Sequence, residues 1–361
     1  MLDLHIGIMS GTSLDGADAV LVDWGSRRSL AFASRSYSTD LKEKLLLLSS
    51  PGPDELDRAG EVAAQLARIY AAVVADVLAE ANIRSEDVRS IGCHGQTVRH
   101  RPERGFSIQL QNAALLAELT RITVVGDFRS RDLAAGGQGA PLAPAFHDGV
   151  FRDKVKHRAV VNIGGISNLT VLSPGLTASG FDCGPGNVLM DHWASINLRT
   201  PFDEDGRWAQ GGKVDPDLLD HLLSDPYFNL KPPKSTGREL FNADWLTRKL
   251  AGREFRARDV QATLLDLTAV AITQAIRAAC QNCEEIIVCG GGARNTALMA
   301  RIGELGRIHT MPSDDLGIPS GQVEAMAFSW FAKCALDRQP ISLHTITGST
   351  HPVVLGAIYP A

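Results

Sequence analysis

The strongest constraint on the fold is a pattern that occurs twice. Leu4-His5-Ile6-Gly7-Ile8-Met9 reads as a strand, Ser10 to Gly16 as a polar, Gly-bearing turn, and Ala17 to Trp24 as the returning strand. The same layout comes back at 159–172: a strand to Ile163, a Gly164-Gly165 turn followed by Ser167 and Asn168, and a strand to Leu172. Few residues are identical, but the order is. Two such hairpins in 361 residues predict an α/β chain of two domains related by duplication. Each tip would present backbone N–H groups and hydroxyls to an anion.

The stretches between the hairpins fill out this plan. Leu30 to Ser36 reads as a third strand, and residues 54–81 carry apolar side chains at helical spacing up to Asn82. Ser90 to Cys93 reads as a buried strand running into a polar tip with His94, Gln96, Thr97 and His100. Ligands of α/β sheets bind at such strand ends. A helix is expected near 111–119, then a strand at 123–126 leading into a charged loop, Asp127 to Asp132. Gly136-Gly137-Gln138-Gly139 follows as a hinge, which sets the expected boundary. Residues 1–132 would form the first domain, with the tail 345–361 packing back on it, and 133–344 the second. Residues 199–247 are loop-rich and read as a lid or substrate-facing insertion. After a helix near 259–281, Glu285 to Cys289 is a strand, Gly290-Gly291-Gly292 a turn open to close approach, and Asn295 the start of a helix. A last helix, 321–337, contains Glu324.

Composition narrows the function. The net charge is −5, and no basic run suits a nucleic-acid backbone or a membrane surface. No apolar run approaches a membrane span, and Met1 to His5 lacks a basic leader, so the expected location is cytoplasmic. Only Cys280 and Cys283 have C-x-x-C spacing, with no second pair to complete a zinc site. The chain lacks G-x-x-x-x-G-K-[ST], a G-x-G-x-x-G after a strand, and an HRD/DFG pair. A P-loop, a dinucleotide dehydrogenase and a protein kinase are thereby set aside.

Midway along the chain lies Gly180-Phe181-Asp182-Cys183-Gly184-Pro185-Gly186-Asn187, followed by a helix-like run from Val188. An acid here is expected near a helix N-terminus, which favours its ionised form and suits a general base. Two anion-friendly tips, an Asp and a Gly-rich turn fit phosphoryl transfer, which relies on positioning and charge stabilisation.

In this order the blocks resemble the actin/Hsp70/sugar-kinase superfamily. Within it, Met9 to Gly16, Cys93-His94-Gly95-Gln96-Thr97, Asn162 to Asn168 and Phe181-Asp182 with Gly184 to Asn187 resemble the anhydro-N-acetylmuramic acid kinase family. The resemblance implies a two-domain, actin-like ATPase fold (a duplicated ribonuclease H-like fold) with an ATP cleft between the domains. It also implies an activity: 1,6-anhydro-N-acetylmuramic acid, ATP and water give N-acetylmuramic acid 6-phosphate and ADP, in peptidoglycan recycling. Asp182 would be the catalytic base. Gly11, Thr12, Ser13, Leu14, Asp15, Gly16, Ala17, Asp18, Gly164, Gly165, Gly291, Gly292 and Asn295 would bind ATP. His94, Thr97, Arg131 and Glu324 would bind the sugar, with Arg131 facing its lactyl carboxylate. Mg²⁺ would accompany ATP, without a certain protein ligand; Asp15 would reach it through water. A homodimer is implied, with no nucleic-acid or membrane partner. The family has Thr after the catalytic Asp where this chain has Cys183. Two rivals stand beside this reading: another sugar or acyl-phosphate kinase of the superfamily, and a nucleotide-switched regulator or chaperone-like ATPase.

Overall fold

A computed structural model describes residues 2–11, 14–232 and 234–361. The chain divides into two compact units, Met1–Phe146 with Gln322–Ala361, and His147–Gly321.

The first unit is built on β1 (Leu4–Met9), β2 (Gly16–Asp23), β3 (Arg28–Ser36), β4 (Ser90–Cys93) and β7 (Val124–Gly126), while β5 (Gln96–Arg101) and β6 (Phe106–Leu110) form a separate ribbon. The strand order is β7-β4-β1-β2-β3, and the C-terminal strand Ala357–Tyr359 closes the β7 edge. β1 and β2 are antiparallel, whereas β1, β4 and β7 run parallel. Parallel strands need a covered face. The helix Glu55–Ala81 and the helix Val323–Leu336 supply that cover, with Val62, Leu66, Tyr70, Val73 and Val77 of the former in the core. Val323–Leu336 lies so close to the sheet that a Cβ on Gly7 would sit 1.8 Å from the Ala325 carbonyl oxygen, and one on Gly92 would sit 1.9 Å from that of Phe328. Only glycine permits this approach.

The second unit repeats the plan with β8 (Arg158–Ile163), β9 (Ile166–Leu172), β10 (Ser179–Pro185), β11 (Glu285–Cys289) and β12 (His309–Pro312), ordered β10-β9-β8-β11-β12. β8, β9 and β10 form an antiparallel meander, and β11 and β12 continue parallel to β8. The helix Ala257–Ala279 buries Val260, Leu264, Leu267, Ile272 and Ile276 against it.

Several expectations change. The boundary placed at 132/133 falls at Phe146/His147, because the intervening segment packs within the first unit. Asp132 accepts the Gly139 N–H at 2.7 Å and the Thr347 hydroxyl at 2.7 Å, and Phe146 meets Trp24 edge-on. The chain re-enters that unit at Gln322, well ahead of residue 345, as the helix onto β1 requires. The charged loop after β7 is a helix, Phe128–Ala134, capped by the Asp127 carboxylate on Ser130. Two helices, Glu55–Ala81 and Ala257–Ala279, are long and apolar enough to cross a membrane, contrary to the expectation that no stretch is; each buries a face in its own unit's core.

Candidate active site

Asp182 lies on β10, one residue ahead of an irregularity in its pairing with β9. The register shift between Asp182 and Gly184 leaves Cys183 as the extra residue, and its side chain is buried in the core. Burial pushes its thiol up to about 12, so no ionised sulfur sits beside Asp182. Cys183, where the family has Thr, is therefore a packing residue here.

The helix that was expected to hold Asp182 starts further on, at Val188. Its first N–H groups are taken by the β8–β9 turn: Asn187 N–H donates to Gly164 O at 2.8 Å and Val188 N–H to Gly165 O at 3.1 Å. Asp182 is instead held from the segment 226–236. Its Oδ2 accepts the Thr236 N–H at 3.0 Å, its own N–H donates to Lys234 O at 3.2 Å, and its carbonyl accepts the Tyr227 hydroxyl at 2.7 Å. Lys234 packs over the Tyr227 ring, 4.6 Å from the centroid. The electrostatic expectation therefore reverses. Burial raises the Asp182 pKa, the Thr236 N–H opposes the rise and the charge of Glu239 adds to it. A carboxylate with a raised pKa, met by one N–H and by no cation among the described residues, is suited to take up a proton.

Within the same unit a cavity of about 510 Å³ is bounded by Gly164, Gly165, Asn187, Asp191, His192, Arg238 and Gly291. Burial raises Asp191 to about 6, with Arg238 opposing. Three of the residues expected at a nucleotide, Gly164, Gly165 and Gly291, are thus brought together. Gly292 and Asn295 also serve the fold itself. A Cβ on Gly292 would meet the Ile163 side chain at 2.4 Å, and Asn295 caps the helix Thr296–Gly306 by accepting the Leu298 N–H at 3.0 Å.

In the first unit the tip of the opening hairpin is shorter than expected. Gly16, Ala17 and Asp18 belong to β2, and Ala17 is fully buried. Gly11 O accepts the Leu14 N–H at 3.2 Å, Leu14 takes a left-handed φ of 59°, and Asp15 stands exposed. Thr12 and Ser13 lie outside the described residues.

His94 is buried next to this tip. Arg129 Nη2 lies 2.8 Å from His94 Nε2 and can only donate, so Nε2 accepts and the proton resides on Nδ1, 3.1 Å from Ser10 O. The ring also packs on Phe328. Burial first, then the Arg129 charge, lower His94 to about 3. It is a neutral imidazole. Arg129 also donates to Gly139 O at 2.7 Å; burial lowers its pKa to about 10, with the charges of Asp132 and Glu324 opposing. Glu324, in the first turn of Val323–Leu336, is exposed as a residue, and its carboxyl is raised by desolvation first and then by the Asp18 charge, with Arg129 opposing. Arg129, Glu324 and Asp18 therefore interact by charge beside the neutral His94 ring. Thr97 is apart from it and accepts from Gln109 Nε2 at 2.9 Å. Arg131 is exposed, and among the described residues its side chain has no ion-pair partner; Asp132 is turned to Gly139 and Thr347 instead.

Sequence reading missed Arg129, Tyr227, Lys234 and Thr236. The doubled arginine of Phe128-Arg129-Ser130-Arg131 was the available signal for the first. Nothing in spacing linked residues 227–236 to Asp182.

The model of the family described as anhydro-N-acetylmuramic acid kinase matches residues 3–361. An anhydro-N-acetylmuramic acid kinase of Pseudomonas paraeruginosa is 50% identical over 360 residues, covering 99% of both chains. One from Cupriavidus pinatubonensis is 51% identical, covering 99% of this chain and 98% of its own, and one from Bordetella pertussis is 50% identical, covering 99% and 96%. Among solved structures, component A of the (R)-2-hydroxyglutaryl-CoA dehydratase of Acidaminococcus fermentans superposes with a TM-score of 0.51 at 12% identity, over 91% of this chain and 97% of that one. That likeness concerns the fold alone, the two-domain actin-like arrangement of duplicated sheets.

Proposed function

The chain belongs to the anhydro-N-acetylmuramic acid kinase family and is a kinase of that sugar, and we propose that its residues carry a hydrolytic phosphorylation with Asp182 as the base. In this reading 1,6-anhydro-N-acetylmuramic acid, ATP and water give N-acetylmuramic acid 6-phosphate and ADP, a step in cytoplasmic cell-wall recycling by a homodimer.

The supporting observation is the setting of Asp182. Its carboxylate is fixed by Thr236 N–H and raised in pKa by burial, with no ion-pair partner among the described residues. Such a group draws a proton from water as the water attacks the anomeric carbon. The bridge C–O bond breaks, the freed O6 bonds to the γ-phosphorus, and ADP departs. In-line transfer of this kind depends on how the phosphates are held. Gly164, Gly165 and Gly291 bound a cavity into which backbone can approach a nucleotide closely, and Arg238 and Asp191 add charge at its wall. The tip Gly11 to Asp15 is assigned to the phosphates, with Thr12 and Ser13 kept in that role. Gly16, Ala17, Asp18, Gly292 and Asn295 support these contacts from strand, core and cap positions.

His94, Thr97, Arg131 and Glu324 are assigned to the sugar. As a neutral donor-acceptor ring, His94 orders its neighbours and carries no charge to the substrate. Arg131, exposed and unpaired among the described residues, is free for a carboxylate such as the lactyl group. Among the described residues no three His, Cys, Asp or Glu side chains gather to hold a metal. An ATP-borne Mg²⁺ would be held mainly by phosphates and waters, with Asp15 as an outer contact. When bound, that ion neutralises charge on the transferring phosphoryl group.

The test is a comparison of substrates. Purified protein with ATP should phosphorylate the anhydro sugar in preference to free N-acetylmuramic acid. Preference for the free sugar would overturn the hydrolytic reading and favour an ordinary sugar kinase.

A further inference from the structure

We infer that Cys280 and Cys283 form a redox-active dithiol that exchanges with small-molecule disulfides and closes into an intramolecular bridge. The site lies outside every contact used above. Cys280 caps the helix Ala257–Ala279, and the Cys283 N–H donates to the Cys280 carbonyl at 3.0 Å. A turn closed in this way keeps its end Cα atoms within about 7 Å, and a disulfide requires roughly 4.4–6.8 Å. Each thiol shifts the titration of the other, and Cys283 Sγ also donates to Glu285 O at 3.4 Å. Cys280 also meets the Ser173 hydroxyl, which lies 3.1 Å from His157 Nδ1. Bridging thus asks for little backbone movement.

Access selects the same pair. Cys93, Cys183, Cys280, Cys289 and Cys334 are buried, and Cys283 alone of the six is half-exposed. It is the outer sulfur, and Cys280, 4% exposed, is the inner one. The contacts from Cys283 and Ser173 bring Cys280 down to about 7, while Cys283 is raised, so the pair shares one proton near neutral pH. No third His, Cys, Asp or Glu joins them among the described residues, and two sulfurs do not complete a structural zinc site.

Cys280 carries the thiolate and Cys283 the shared proton; as Cys283 Sγ attacks one sulfur of a disulfide RSSR it passes that proton to Cys280, forming Cys283–S–S–R and expelling RS⁻, which then takes the proton from Cys280. The Cys280 thiolate then attacks Cys283 Sγ, forms the Sγ–Sγ bond and expels the second RS⁻, protonated by solvent. Two electrons pass from the dithiol to RSSR, giving two RSH.

The experiment uses the full chain, reduced and then held in graded mixtures of reduced and oxidised glutathione. The products are trapped with an alkylating reagent and read by intact mass and peptide mapping. Wild type should lose the mass of two hydrogens in a single step, map to a 280–283 bridge, and recover with a dithiol reductant. C280S should retain one glutathione adduct on Cys283, and C283S should stay unmodified at Cys280 while folded. A stable glutathione adduct on wild-type Cys283, or a free dithiol at the most oxidising ratio, would overturn the inference. Because the readout is mass, it is independent of kinase activity.

Discussion

The two units carry the same strand order, β3-β2-β1-β4-β7 in one and β10-β9-β8-β11-β12 in the other, yet they place different chemistry on the strand ends. In the first unit the titratable groups are matched. Arg129 lies against His94 and its charge helps hold the His94 ring neutral, while the charges of Asp132 and Glu324 oppose the burial of its own guanidinium. In the second, Asp182 meets a single N–H and has no ion pair among the described residues. A group with partners is held to binding and orientation, whereas one without them is free to exchange a proton. Duplication has preserved the scaffold and left the strand ends to diverge.

The largest effect that tests this division is on Asp182. D182N should fold, bind nucleotide, and lose kcat by about 10²–10⁴-fold, as removal of a general base does. Near-normal kcat would break the contrast by returning the base to the other unit.

Next comes the scaffold. G92A forces a methyl onto the Phe328 carbonyl, and overpacking of this kind costs about 1–3 kcal/mol. Thermal unfolding should report the loss, with G7A behaving alike because its methyl meets Ala325. An unchanged Tm would mean that the helix does not lie tight on the sheet.

Acid sensitivity should sharpen the comparison further. His94 is held at about 3 and His5 at about 4 in the first unit, both below the ordinary 6.5. Below pH 6.5 the unfolded chain takes up these protons and the folded one does not. Stability is therefore full above 6.5 and falls as pH drops toward each folded value, by about 1.4 kcal/mol per pH unit for each histidine. In R129M the His94 pKa should rise, since the Arg129 charge depresses it. NMR titration of the imidazole checks the direction, and no upward movement would dissolve the matched cluster.

The smallest effect concerns Glu239. The acid limb of kcat/KM should lie above the ordinary aspartate range, because Asp182 must lose its proton and its pKa is raised. E239Q should move that limb slightly downward. An upward movement would show that Glu239 does not act on Asp182 by charge.

The repeated hairpins, the long helix ending at Asn82 and the Gly164-Gly165 turn were legible because each is a local pattern of period or turn chemistry. Asp182 was legible as a residue and misread as an environment. The residues that set its pKa, Thr236 and Glu239, lie more than fifty positions away in a stretch without periodicity. Arg131 drew attention where Arg129 makes the buried contacts, since nothing in a run of alternating charge says which face of a short helix turns inward. Asn295 was legible as a residue, but its role as the cap of Thr296–Gly306 was not, because capping and ligand binding call on the same side chain.

The helix Val323–Leu336 also bears on synthesis. It completes the unit that begins the chain, while His147–Gly321 is one unbroken segment. On the ribosome the later-made unit thus has all its strands first, and the earlier one waits with the groove beside Gly7 and Gly92 unfilled. A nascent chain stopped at Gly321 lacks far more than a tail. Its central β1 strand is left with a bare apolar face, the kind of surface that holding chaperones recognise.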